Sequence, residues 1–386
     1  MSTKPIEVAV GVDPPPIITA MLKRDADALD PEAYKFLPVL KACPAPFIWH
    51  KHGSFYDHLH DVWEMMSSWG LPQSWCRLGL FHSAYSNSYV CMNAFDPNTE
   101  RGKLQDLIGK EAENLVYKFC VIDRQALEDQ VLTDMKISEH GYTMKHIRSG
   151  ELLQVSSEEA AAFMMETVAD YLDQSFSWQT ELEAGNASAQ WPGIYKPTTR
   201  MSKSSKMASI VRESGHLTTL PPIFNGCTTI ITPEDEKAAV DEYWSAVGSE
   251  NKIPDDTHLE HLEKASKHNP FVGEPHLVRA QILCAKGEYA KAEAAAKEGL
   301  TQLYQWATNW DKRMPFNAWV SWGRCMLFQA TLKEWPASWG GMESLGAVDP
   351  SQRFRGLNSG RKFRDEDAIV VNEPGTKANG SKRQKK

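Results

Sequence analysis

The chain is 386 residues long, with 42% hydrophobic and 24% charged residues and a formal net charge of −8. That is the profile of a water-soluble globular protein with material for one large or two medium cores. The negative balance offers no global attraction to nucleic acid or anionic membrane, and no apolar run approaches the roughly 18–20 residues of a membrane span. Met1 to Pro16 carries Lys4, Glu7, Asp13 and Pro14-Pro15-Pro16 and no apolar core of the secretory kind. The expected location is therefore the cytoplasm, with the nucleus open through the basic ending Ser381-Lys382-Arg383-Gln384-Lys385-Lys386. Cysteines at 43, 76, 91, 120, 227, 284 and 325 form no CxxC pair, so we expect buried thiols.

Residues 1–30 read as a weakly ordered lead-in. From Pro31 to Gln179 the pattern is helical. Within 57–70, Leu59, Val62, Met65, Met66 and Trp69 recur at spacings of three and four and define one apolar face. Gly70 and then Pro72 supply the stop. A second helix is expected over 72–83, with Trp75, Leu78, Gly79, Phe81 and His82 facing inward. Two more follow a polar loop, at 100–108 and 110–119, broken near Gly109.

Residues 134–155 change character and predict a small β-hairpin, with arms near 135–137 and 152–155. Ser156-Ser157-Glu158-Glu159 carries a capping signature for a long helix reaching about Phe176. The stretch 185–232, rich in Gly, Pro, Ser and Thr, reads as a connector with one short helix. Its Trp191-Pro192-Gly193, Lys196, Arg200, Lys203 and Lys206 are expected to be solvated. Helices are then expected from Pro233 to the middle 240s, over 257–267 and over 313–333. The cluster Trp306, Trp310, Trp319, Trp322, Trp335 and Trp339 reads as core filling, and 341–386 as a disordered tail.

Three sets of residues carry resemblances. Asn269-Pro270, Ala280, Leu283, Gly287, Tyr289, Ala292, Ala296 and Leu300 resemble one tetratricopeptide unit, in which small residues let two antiparallel helices approach closely. A lone unit must cover its faces with neighbours. In the first half, His58-Leu59-His60-Asp61-Val62 has a His-x-x-x-Val form, Leu80-Phe81-His82-Ser83 follows, and Thr167-Val168-Ala169-Asp170-Tyr171-Leu172 places an acid in a later helix. These segments resemble the helical HD phosphohydrolases and, in their spacing, the hydrolase domain of the RelA/SpoT alarmone hydrolases.

The resemblance implies a mainly α fold: an HD-like helical domain over 31–184, then a tetratricopeptide-like helical domain over 233–340. It also implies a divalent ion (Mn, Fe or Zn) held by His58, His82 and Asp170, lowering the pKa of a water and neutralising phosphate charge. The departures count as well. Ser83 stands where the superfamily has Asp, and Ser86-Asn87 where the hydrolases have the Glu-Asp pair that positions water. The hydrolytic machinery is thus incomplete, and Glu100 is the candidate replacement base.

Longer segments, Gly79 to Tyr89, Phe95-Asp96-Pro97-Asn98-Thr99, Phe119-Cys120-Val121-Ile122-Asp123-Arg124, Asn269 to His276 and Trp310-Asp311-Lys312-Arg313, resemble a plant and algal family defined by a domain of unknown function (DUF6817). That resemblance spans roughly 35–340 and implies no activity. Tyr85, Asn87 and Tyr89 form a polar run too rich in hydrogen-bonding groups for core, and with Arg101 they are candidates for contacting substrate. Two functions are open: a metal-dependent phosphohydrolase acting on a nucleotide or other small phosphorylated ligand, or a non-catalytic scaffold that binds a protein through its tetratricopeptide-like helices. Neither reading involves a membrane or nucleic acid.

Overall fold

Helix-start signals in the sequence translate into the helix ends of the computed structural model, which describes residues 13–50, 53–88, 90, 93–174, 200–217, 229–248, 255–333 and 335. Three short helices come first: α1 (Pro16–Lys23), α2 (Ala26–Leu29) and α3 (Ala33–Ala42). A small antiparallel ribbon of β1 (Trp49–His50) and β2 (Gly53–Ser54) pairs Trp49 with Ser54. It feeds α4 (Phe55–Ser68), where Ser54 Oγ accepts the Asp57 N–H at 3.1 Å and the Asp57 carboxylate accepts the Ser54 N–H at 3.0 Å. Two donors that the helix itself cannot satisfy are thereby paired.

Next come α5 (Gln73–Phe81), α6 (Arg101–Ile108), α7 (Lys110–Val121) and α8 (Arg124–Asp134), then a hairpin of β3 (Tyr142–Lys145) and β4 (Leu152–Val155) that pairs Tyr142 with Val155. The remaining described elements are α9 (Ser157–Asp173), α10 (Arg200–Glu213), α11 (Pro233–Val247), α12 (Asp256–His268), α13 (Glu274–Ala285), α14 (Tyr289–Trp306) and α15 (Phe316–Leu332). The fold is mainly α, as the sequence predicts. Among the described residues no helix is long and apolar enough to cross a membrane.

Helix α9 is the centre of this arrangement. The predicted capping box is present, with Ser156 Oγ accepting the Glu159 N–H at 3.1 Å. Thirteen of the seventeen residues of α9 are buried, because α4, α5, α7 and α10 all pack on it. A helix enclosed on every side has no solvated face, so its polar residues point into protein. Glu166, Asp170 and Asp173, spaced four and three apart, lie on one such face.

Several expectations need correcting. The lead-in is helical from Pro16, and Ile18 and Met21 of α1 are buried. The first arm of the hairpin is 142–145 instead of 135–137, because Gly141, at φ +69°, turns the chain immediately before it. Within the expected connector, α10 is fourteen residues long and buries Met201, Met207, Ile210 and Val211. Its buried Ser202, Ser204 and Ser205 read as loop composition in the sequence, yet they are small enough to sit against neighbouring helices. Arg200 lies 4.9 Å over the Tyr171 ring and Lys203 pairs with Glu128 at 2.7 Å, so both are engaged with protein. Cys76, Cys120 and Cys284 are buried, but Cys43 is half-buried and Cys325 exposed. Trp191, Lys196, Trp339, Cys91, Cys227 and the tail 341–386 lie outside the described residues.

Ala9–Trp335 form one compact unit; the other, made of Met1–Val8 and Pro336–Lys386, lies outside the described residues. In the last third, helices meet at glycines. A Cβ on Gly299 would fall 2.7 Å from Leu277 Cδ2 and 2.8 Å from Gly273 O, and one on Gly323 2.8 Å from Leu300 Cδ2. Only a residue without a side chain permits that approach of α13, α14 and α15. Trp306 of α14 faces the end of α4, where the Trp69 indole donates to Trp306 O at 3.2 Å.

Candidate metal centre

The convergence of the two histidines starts from a glycine. A Cβ on Gly79 would fall 2.6 Å from Met66 Sδ and 3.1 Å from Val62 Cγ1, so α4 and α5 touch there almost backbone to side chain. Val62 lies one turn after His58, and Gly79 one turn before His82. The close crossing therefore carries both imidazoles into the same gap, with ring centroids 5.3 Å apart. Asp170 of α9 closes the third side. One ligand atom each from His58, His82 and Asp170 lie within 4.8 Å of one another. The three residues are 4%, 2% and 9% exposed, so the cluster is enclosed, not a surface coincidence.

Each imidazole is held by its outer nitrogen. His58 Nδ1 donates to Asp173 Oδ2 at 2.6 Å, while Nε2 faces Asp170 Oδ1 at 3.2 Å. His82 Nδ1 donates to Gly79 O at 2.8 Å, which leaves Nε2 as the nitrogen with an available lone pair. A carboxylate or carbonyl behind a histidine is the usual way a ligand ring is fixed in orientation and tautomer. Burial disfavours charge on His58, but hydrogen bonds to Asp170 and Asp173 outweigh it and push the ring up to about 10. Burial dominates at His82 and, with the His58 charge nearby, brings it down to about 3. Burial also opposes charge on Asp170, yet His58 and Arg124 hold it well below the usual carboxylate range.

Four contributors have no place in the motif reading. Asp173 orients His58. Arg124, at the start of α8, donates to Asp170 Oδ2 at 3.0 Å and to Glu166 Oε2 at 3.4 Å, and its guanidinium lies 4.1 Å over the Phe119 ring. Glu166 is fully buried, and burial pushes its carboxyl up to about 8. Its Oε1 has no hydrogen-bond partner and sits 3.2 Å from His82 Nδ1. At neutral pH neither of that last pair is charged, so the contact is no ion pair. Lys312, buried, lies 3.9 Å from Asp173. The signal that could have found Glu166 and Asp173 is their helical spacing from Asp170 on a helix without a polar face. Arg124 sits in a segment already singled out, Phe119 to Arg124, but nothing in the sequence ties it to α9.

The other candidates are placed elsewhere. Glu100 accepts the Asp96 N–H at 2.9 Å and pairs with Lys103 at 2.6 Å at the start of α6, and it is not among the clustered ligands. Arg101 binds Glu113 through two nitrogens at 2.7 and 2.9 Å and lies 3.7 Å over the Tyr117 ring. Tyr85 donates to the same Glu113 at 2.9 Å and is fully buried. Asn87 is also buried; it donates to Ser83 Oγ at 2.9 Å and accepts the Val90 N–H at 2.8 Å. Tyr85 and Asn87 are thus core residues whose polar groups have partners inside. Tyr89 lies outside the described residues. His60 is half-buried and 3.6 Å from Glu64. The His50 ring packs 4.4 Å from that of His58.

The donor set fits a divalent ion of the imidazole-and-carboxylate class: two rings pre-oriented from behind and one ionised carboxylate. These features define a mainly helical protein with an enclosed His-His-carboxylate cluster. Residues 39–124 match a family model described as Domain of unknown function (DUF6817). That segment contains His58, His82, Ser83 and Arg124 but neither Glu166 nor Asp170. No curated protein and no solved structure matches the chain.

Proposed function

We propose that this protein binds one divalent ion of the Mn, Fe or Zn class in a buried centre of HD type, with His58, His82 and Asp170 as ligands. The observation that carries the reading is the convergence of those three residues from α4, α5 and α9 in the order an HD site requires. Such an ion supplies Lewis-acid polarisation of a phosphoryl oxygen and a lowered pKa for a water. Around it, Asp173 and Gly79 O hold the two imidazoles, and Arg124 balances the carboxylates. The activity this supports is hydrolysis of a nucleotide or other small phosphorylated ligand.

A second reading has its own support. Ser83 and Asn87, at positions where the hydrolases carry acids, are bonded to each other, and the cluster is enclosed. In this reading the ion stabilises the helices, and the protein works as a scaffold that binds a partner through its tetratricopeptide-like helices α12 to α15. A panel of nucleotides and simple phosphoesters, tested with Mn2+ and with the His82→Ala variant, separates the two. Metal-dependent turnover lost in the variant supports the hydrolase. Metal binding without turnover of any of them supports the scaffold.

A further inference from the structure

The loop between α14 and α15 brings one buried cation to the outer side of the centre. Lys312 is buried, with Nζ 3.9 Å from Asp173 Oδ1 and donating to Thr308 Oγ1 at 2.8 Å. Asp173 uses its other oxygen, Oδ2, to hold His58 Nδ1 at 2.6 Å. Burial works against the charge of Lys312, and Asp173, Asp61 and Glu274 are the carboxylates that favour it. At 3.9 Å the contact with Asp173 is no hydrogen bond. It is an attraction between two charges withdrawn from water, where screening is weak. The loop that carries Lys312 is itself closely specified. Fully buried Glu274 accepts the Trp310 and Asp311 N–H groups. The Asn309 amide donates to Asp311 O and Met314 O, and Trp319 Nε1 donates to Asp311 O at 2.8 Å. A loop tied down by three buried side chains presents its lysine in one place. We infer that Lys312 is a positioning residue of the centre: it holds the Asp173 carboxylate, and through it the His58 ring, so that the C-terminal helices complete the surroundings of the ion. This rests on the metal-centre reading above and adds to it a residue that no motif assigns.

The test is Co2+ binding to the full chain, read by competition with a chelator. Removing a cation near a divalent ion would, by charge alone, tighten binding. Lys312→Met should instead weaken it, by about tenfold, the lower end for a group that orients a ligand from behind. Lys312→Arg keeps the charge and should bind more tightly than Lys312→Met. In the Asp173→Asn chain, Lys312→Met should cost almost nothing further, because both residues act through one contact. Lys312→Gln carries the same expectations and serves if the Met variant fails to fold. If the wild type binds Co2+ and Lys312→Met matches or exceeds its affinity, Lys312 positions nothing and the metal reading stands. A loss of the same size that persists in the Asp173→Asn chain also overturns the inference, since Lys312 then acts on the fold and not through Asp173. If the wild type binds no Co2+, both readings fall.

Discussion

His58 sits between two carboxylates, and the ring nitrogen facing each decides their roles. Nδ1 is committed to Asp173 at 2.6 Å, so the ring cannot turn and Nε2 stays directed at Asp170. Asp173 is then a positioning residue, and removing its charge should loosen and misorient the ring. Asp173→Asn is expected to weaken Zn2+ or Mn2+ binding by about 10–100-fold, measured by titration calorimetry. Unchanged affinity would mean that Asp173 only balances charge. His58, His82 and Asp170 were legible because each stands in a short recognisable string. Glu166 and Asp173 were not, because acids spaced three and four apart on a helix ordinarily mark a solvated face. Only the enclosure of α9, built by helices distant in sequence, reverses that meaning. Tyr85 and Asn87 fail in the opposite direction: their partners, Glu113 and Ser83, make burial possible for groups that look too polar for it.

Crossing points between helices set the geometry at the next scale. The α4–α5 crossing at Gly79 places both imidazoles, so filling it should disturb the fold and the centre together. Gly79→Ala would press a methyl against Met66 and Val62. The expected loss is about 1–3 kcal/mol, seen as a lowered midpoint in urea, with weaker metal binding because His82 is displaced. A variant as stable as the wild type would show that the crossing has slack. Helices with a clean apolar stripe, such as α4 and α7, were readable from spacing alone. Helix α10 was not: its serines look like loop, yet Ser202, Ser204 and Ser205 are buried, with Ser202 and Ser205 bonded to Glu236 and Ile231. Helix α8 has few apolar positions, Leu127 and Val131 among its buried residues, and its worth lies in Arg124 and Glu128, whose partners come from α9 and α10.

Across the whole molecule, the C-terminal helices are tied to the part that holds the centre. The Trp69 indole bonds to Trp306 O, and Lys312 lies beside Asp173, the residue that orients His58. Glu274 accepts the backbone N–H groups of Trp310 and Asp311 at 2.6 and 3.0 Å, which holds the Lys312 loop in place. Residues Ala9–Trp335 should therefore unfold together. Tryptophan fluorescence and far-ultraviolet circular dichroism should give one coincident urea transition, and Trp69→Ala should lower its midpoint without splitting it. Two separated transitions would mean that the C-terminal helices fold on their own. The central claim, that the cluster is a metal centre, is tested most directly by elemental analysis of the full chain purified without added metal or chelator. About one divalent ion per chain is predicted, lost on His58→Ala, His82→Ala or Asp170→Ala in protein that remains helical. A folded wild type carrying no ion, and taking up none of Mn2+, Fe2+ or Zn2+ when they are supplied, would contradict it.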